Sequence, residues 1–386
     1  MEQNKGISAI IAAAKKLRQH LHQDPELAHQ EVKTAKKVLE FLLNTNPDEV
    51  VEGIGGNGLI VSYKGTSKGK DLLFRAELDA LPIEEVNTFE HASKNEKVSH
   101  KCGHDGHMAI LCGLAMLLKD RDKYKGTVHL LFQPAEETGE GAMKMLEDSK
   151  INAFKVDYAF ALHNLPGFKM GEIVVKRNTF AAASKGLIVK LKGKPSHASH
   201  PKDGINPLFA ASQILQLFNE SPNMHTALEE VAQITPVGIK MGQKAFGTSA
   251  SEGEIYATLR TYEDATMERM STYLEEKIAG IAALHKLKHS IEWTEEFAAV
   301  KNDETCFEIL ENALKELNFE QQEVSSPFPW SEDFGRFSER FPTCMFGLGA
   351  GEKHQQLHQE DYDFPDDIIS TGVQVFYKLI EKANQQ

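Results

Sequence analysis

The sequence predicts an α/β fold in which a sheet domain is interrupted by a smaller domain. Three patterns carry that reading. Short apolar runs alternate with helical stripes from residue 1 to about 177, the order β-α-β-β-α-β occupies roughly 180–295, and a helical stripe returns afterwards. Strands alternating with helices favour a sheet covered on both faces.

The elements follow in order. Ile7, Ile10, Ile11, Ala14, Leu17 and Leu21 recur at helical spacing with lysines between them. This is an amphipathic first helix rather than a signal peptide. Val32, Ala35, Leu39 and Leu42 mark a second helix. Residues 71–76 read as a short apolar strand, and Met108, Leu111, Ala115 and Leu118 as a helix after a glycine-rich turn. Strands follow at 127–132 and 156–162. In the middle, Leu187, Val189 and Leu191 alternate as a strand, and 206–218 reads as a helix opened by Pro207. Further strands fall at 231–239 and around Ile255, Ala257 and Leu259. Met270, Leu274, Ile278 and Ile281 form a helical stripe, and Ile291 and Trp293 sit on a last strand. This is the ferredoxin-like order. Cys306, Ile309, Leu310, Ala313 and Leu317 return to a helix, so the C-terminal part is expected to rejoin the first domain.

Composition narrows the function. The chain has 386 residues and a formal net charge of -13, which disfavours binding to phosphate backbones, so no nucleic-acid partner is expected. No uniform apolar run is long enough to span a bilayer. The four cysteines, Cys102, Cys112, Cys306 and Cys344, are scattered and read as reduced thiols of a cytoplasmic protein.

Chemistry-bearing residues cluster where strand or helix patterns stop, the usual place for ligands in open α/β sheets. His100-Lys101-Cys102-Gly103-His104-Asp105-Gly106-His107 gathers a thiol and imidazoles that suit zinc and related ions. His104 and His107, three apart at a helix start, can both face one site. Beyond a strand, Glu136 and Glu137 are adjacent and point different ways, so one can bind metal while the other acts as general base and acid, with Glu140 as a spare. By itself that stretch also suits a solvated acidic helix cap. His163 ends an apolar strand, and His354 and His358 are spaced to share a helix face, although a structural or surface histidine would look the same. Asp79 ends a strand where a carboxylate can orient a ligand or a base.

At these residues the chain resembles a known family. The segments RQHLHQDPELAHQE, RAELDALP, CGHDGHMA, FQPAEETGEGA, ALHNLPG, SHASHP, ATLRTY, SEDF and LHQEDYDF occur in order over nearly the whole length. They resemble the metallopeptidase family of aminoacylases, bacterial carboxypeptidase G and hippurate hydrolase, within the branch of hippurate hydrolase and plant indoleacetate–amino acid hydrolases. The resemblance implies an aminopeptidase-like α/β/α catalytic domain at 1–179 and 296–386 that holds two metal ions, zinc first, with manganese, cobalt or nickel as alternatives. It implies that the ferredoxin-like domain at 180–295 forms a homodimer. It implies Cys102, His104, Glu137, His163 and His358 as metal ligands, Glu136 as general base and Asp79 as its support. His197 would enter the neighbouring subunit's site and stabilise the reacting oxygen, and Arg260 would hold a substrate carboxylate. The implied reaction is attack by a metal-bound hydroxide on the amide of an N-acyl amino acid. Two departures stand out. Glu77 replaces a usual aspartate, and Gly247 stands about where many relatives carry a substrate-holding asparagine. The alternatives are a dipeptidase or carboxypeptidase with the same site, and a non-catalytic metal-binding scaffold. A redox role for Cys102 is weaker, for want of a nearby resolving cysteine.

Overall fold

The computed structural model describes residues 2–227 and 230–385 and divides into two compact units. The first comprises 1–180, 300–327 and 333–386, and the second 181–299 and 328–332.

The first unit opens with helices α1 (Glu2–Gln23) and α2 (Val32–Leu43). Strands β1 (Glu49–Ile54), β2 (Gly58–Lys64) and β3 (Leu72–Glu77) follow, then α3 (His104–Leu117) and β4 (Thr127–Gln133). Next come α4 (Gly141–Glu147), β5 (Tyr158–Pro166), β6 (Ile173–Val175) and β7 (Asn178–Ala181). The second unit holds β8 (Ala183–Lys192), α5 (Leu208–His225), β9 (Ala232–Met241), β10 (Glu252–Thr261), α6 (Asp264–Leu284) and β11 (Lys288–Phe297). The chain returns to the first unit with β12 (Val300–Asn302), α7 (Glu304–Leu317), β13 (Gln321–Glu323), β14 (Thr343–Gly351) and α8 (Ile369–Ala383).

Eight strands form the main sheet in the order β1-β2-β4-β3-β5-β14-β6-β13. Its centre is parallel: β3 pairs with both β4 and β5, and β14 pairs with β5 in the same sense. Every residue of β3 is buried, as a strand covered on both faces requires. The four central strands therefore end together at Glu77, Gln133, Pro166 and Gly351. That shared carboxyl edge is where the loops bearing Asp79, Glu136, Glu137 and His358 emerge.

Helix α3 is buried almost throughout, from His104 to Ala115. A carboxylate buried on the first turn of this helix needs partners, and α1 supplies them. Arg18 and His22, one helical turn apart, grip Asp105 on the first turn of α3. Arg18 also bonds Asp363 at 2.6 Å and Asp366 at 2.9 Å. His22 donates through Nδ1 to Asp105 at 2.8 Å and through Nε2 to Glu85 at 3.1 Å. Burial alone would discharge His22, but Asp105 and then Glu85 outweigh it and push its pKa from 6.5 up to about 9.

This arrangement sets a pH optimum for stability. A shift of that size corresponds to on the order of 3 kcal/mol, fully present below pH 6.5 and lost as pH rises through 9. Burial acts the other way on His100 and His163, lowering each to about 3. The unfolded chain takes up protons there that the folded chain refuses, so stability also falls below pH 6.5. Calorimetry of metal-free protein should therefore find the highest Tm near pH 6–7. His104, raised to about 10, loses stability over the same range, so a His22→Ala variant should lose about half of the alkaline slope between pH 6.5 and 9, and an unchanged slope would remove His22 from this role.

The second unit is an antiparallel sheet in the order β11-β8-β10-β9. Numbered within the unit, the strands run 4-1-3-2 with two helices, the ferredoxin-like arrangement. Leu187, Val189, Leu191, Ile255 and Leu259 face Ile214, Phe218, Leu274 and Ile278 in its core. Residues 328–332 return to this unit, where Ala182 N donates to Phe328 O and Trp330 O, each at 3.1 Å. No apolar pattern announces that return. Among the described residues, no helix is long and apolar enough to cross a membrane.

Candidate metal centre

Cys102 lies in the loop before α3, with Gly103 between it and His104. Gly103 has φ 95°, and a Cβ there would stand 2.4 Å from Asn164 Oδ1. Only glycine lets the chain turn this tightly into the helix. The loop after β4 is turned by Ala135 at φ 51°, a conformation costing about 1–3 kcal/mol for a residue with a Cβ. Glu31 Oε1 holds it by accepting Ala135 N–H at 2.8 Å. His358 also sits at positive φ, 64°, fixed by its N–H to Lys101 O at 2.8 Å.

These loops bring six side chains together. Cys102 Sγ lies 3.4 Å from His163 Nε2. His104 Nε2 lies 3.7 Å from Glu136 Oε2 and 3.9 Å from Glu137 Oε1. His358 Nε2 lies 3.8 Å from Glu137 Oε2. Donor atoms within 4.8 Å of one another form the groups Cys102–His104–His163 and Cys102–Glu137–His358. Two donors on one tetrahedral ion stand roughly 3.3–3.8 Å apart, given zinc bonds of about 2.0–2.3 Å. The separations therefore suit metal, and Cys102 is common to both groups.

The imidazoles are set as metal ligands need. His104 Nδ1–H donates to the backbone carbonyl of Asp79 at 2.9 Å, and His163 Nδ1–H to that of Asn164 at 2.9 Å. A carbonyl only accepts, so each ring carries its proton on Nδ1 and turns an Nε2 lone pair inward. His104 Nε2 is buried with no hydrogen-bond partner, the orphaned atom a cation would satisfy. Burial opposes charge on His104, but Asp79, Glu77 and Glu137 prevail and raise it to about 10. An ion at Nε2 would replace that proton. Burial lowers His358, so it is neutral and ready to ligate at pH 7. Asp79 also accepts Glu137 N–H at 3.0 Å, which couples the loops after β3 and β4.

One expectation is qualified and one is corrected. His104 and His107 do come together, with Glu77, in a donor group of their own, but His107 belongs to neither group that contains Cys102. Its Nδ1 is 2.7 Å from Glu77 Oε2 and its Nε2 2.6 Å from Asn164 Oδ1. Three residues on a helix turn it far enough to reach behind His163, where their rings meet edge to face. His354 and His358 share no helix face, because residues 351–359 form turns. His354 Nε2 donates instead to Asp363 O at 2.6 Å.

The departure Glu77 finds its reason here: it bridges His107 and Arg75. Arg75 continues to Asp333 at 2.6 Å and Gln133 at 2.9 Å, and Asp333 accepts from Gln133 and Ala142 N. Asp333 N–H in turn points at Glu136 Oε1, 3.4 Å away. Arg18, His22, Asp105, Asn164 and Asp333 all lie in segments that carry the family resemblance, but sequence reasoning gave none of them a role. A local signal for two of them was the i, i+4 pair Arg18–His22 on an otherwise apolar helix face.

His197 and Arg260 belong to the second unit. His197 is exposed, and Ser199 N–H donates to its Nδ1 at 3.1 Å. That bond puts the ring proton on Nε2, facing solvent as a donor. Arg260, on β10, donates to Pro329 O and Ser331 Oγ, both at 2.9 Å and both neutral.

Residues 73–382, from β3 to the last turn of α8, match the model of peptidase family M20/M25/M40. The chain belongs to that family. As an M20 enzyme it is a hydrolase of linear amide bonds. It is 31% identical over 370 residues to the N-acetylcysteine deacetylase of Bacillus subtilis, covering 94% of each chain. It is 29% identical over 369 residues to the hippurate hydrolase of Campylobacter jejuni, covering 95% of each. A dinuclear metal binding peptidase of the M20 family from Bacillus subtilis matches its structure with a TM-score of 0.82 at 28% identity, over 97% of this chain and 98% of that one. The matched span contains every member of the donor groups described above.

Proposed function

We propose that this M20 enzyme removes the acyl group from N-acyl amino acids, using two divalent ions held by Cys102, His104, Glu137, His163 and His358. The observation that carries the reading is the pair of three-donor groups sharing Cys102, with the Glu136 carboxylate set against His104 and Glu137 in a third group that contains no thiol. Zinc suits the thiol and imidazole donors best, with manganese, cobalt or nickel as substitutes. Reduced cysteines fit a cytoplasmic setting.

Bound ions would polarise the amide carbonyl and acidify a water at neutral pH. The remaining work falls to side chains. Glu136 takes the proton of the attacking water and returns it to the leaving nitrogen. Asp79 keeps Glu137 and His104 in register through the two bonds already described. His197 donates from Nε2 to the oxyanion, and Arg260 pairs with the carboxylate of the amino acid.

His197 and Arg260 serve different copies of the site. Both belong to one rigid sheet unit, and β10 separates them. His197 is tied to Thr248, just before the strand, whereas Arg260 is at its far end. Eight strand residues span about 26 Å, more than a substrate of this size bridges. A homodimer through the second unit resolves this, with Arg260 acting in its own chain and His197 in the partner.

The M20 relatives also include a thermostable carboxypeptidase of Saccharolobus solfataricus, 28% identical over 369 residues, which keeps a peptidase reading in view. Amine release from a panel of N-acyl amino acids and dipeptides decides between them. Release from acyl amino acids supports deacylation, and release from dipeptides alone replaces it. Because Cys102 belongs to both donor groups, Cys102→Ala should lower metal content from about two ions per chain to one or fewer, measured by elemental mass spectrometry. Unchanged stoichiometry would remove Cys102 from the ligands.

A further inference from the structure

The loop between β9 and β10 carries Phe246, which is 91% exposed. The loop is nonetheless well fastened. Ala198 N donates to Gly247 O at 3.0 Å and Ser249 N to Ser196 O at 2.9 Å. Ser196 N donates to Ser249 Oγ at 3.0 Å, and His197 pairs with Thr248 as an antiparallel bridge. Phe246 and His197 therefore ride on one zippered pair of loops and arrive wherever the other does. At the tip, a Cβ on Gly247 would meet nothing within 4 Å beyond its chain neighbours, so the tip stands clear of the rest of the fold. Nothing inside the fold requires a large aromatic ring in water at this point.

We infer that Phe246 is a specificity-determining residue that contacts the acyl group of the substrate, and that the enzyme prefers aromatic or large apolar acyl groups. The inference rests on the proposed deacylase reading, in which His197 bonds the scissile carbonyl oxygen. An acyl group begins one bond from that carbonyl carbon, so a side chain next to His197 stands beside the acyl group or the amino acid. The amino-acid side is taken by Arg260 of the site's own chain, whereas the loop pair with His197 and Phe246 comes from the other copy. The acyl side is left to Phe246. A phenyl face in that position favours a benzoyl group through offset or edge-to-face packing and offers an acetyl group little.

The test compares kcat/KM for N-benzoylalanine and N-acetylalanine in the metal-loaded enzyme. Wild type should favour the benzoyl substrate. Phe246→Ala should lower the benzoyl-to-acetyl ratio about tenfold, the scale of one aromatic pair, and Phe246→Tyr should hold it within about threefold. A merely structural role for the loop would depress both substrates together and leave the ratio at the wild-type value. That result, or a wild-type preference for acetyl, overturns the inference while leaving deacylation standing. Where the panel shows another amino acid to be released better than alanine, the benzoyl and acetyl derivatives of that amino acid are compared instead, and release from no N-acyl amino acid at all means that the deacylase reading itself fails, before any variant is compared.

Discussion

Glu136→Gln is expected to keep its metal and lose on the order of 10²–10⁴ in kcat, the usual contribution of a positioned general base. Glutamine has nearly the same shape, so Asp333 N–H can still meet an oxygen at that position. What disappears is the ability to take a proton from water and return it to nitrogen. Glu136 is buried and shares the 4.8 Å cluster of His104 and Glu137, close enough to act on anything those groups hold. The variant separates the two adjacent carboxylates, because Glu137→Gln should instead reduce metal content. If Glu136→Gln turned over substrate within tenfold of wild type, the base would have to be sought elsewhere. If it lost metal, Glu136 would be a ligand.

His197→Ala should cost about 10²–10³ in kcat, the loss seen when one oxyanion donor is removed. It should leave metal content and thermal stability unchanged, since the imidazole is exposed. Its effect should also be curable in trans. In a heterodimer of His197→Ala with Glu136→Gln, the first chain keeps its base and the second supplies the missing histidine. Random reassembly of equal amounts makes half the dimers mixed, each with one working site, so about one quarter of wild-type activity should return. Recovery on that scale supports the separation of His197 from Arg260 along β10. Verified heterodimers without recovery would place His197 in its own chain's site, or outside the chemistry.

The legible parts of this fold share a physical character. Strands β3, β4 and β5 are covered on both faces and therefore read as apolar runs. The second unit kept its alternation because one sheet face meets helices α5 and α6. Strand β14 is equally buried, yet its Gly347, Gly349 and Gly351 thinned the signal. A side chain at Gly347 would press on Leu165 and Val174, so glycine is there for close packing rather than as a turn. The donor residues were readable as types at strand ends, and the resemblance supplied their roles. Orientation was not readable. His107 has the same spacing credentials as His104, and only its bonds to Glu77 and Asn164 show that it lies outside the groups built on Cys102. His354 and His358 lie four apart, but the chain between them never closes a helical turn. The grip of Arg18 and His22 on Asp105 joins residues more than eighty positions apart, and no local pattern records such a contact.

The account turns on whether bound metal at this site performs amide hydrolysis. The most direct measurement strips the protein with chelator and returns a divalent ion in steps, while amine release from an N-acyl amino acid is followed. Release should vanish on stripping and climb with metal to a plateau at about two ions per chain. Release that survives complete stripping, or that stays absent from every N-acyl amino acid once two ions are bound, would contradict it.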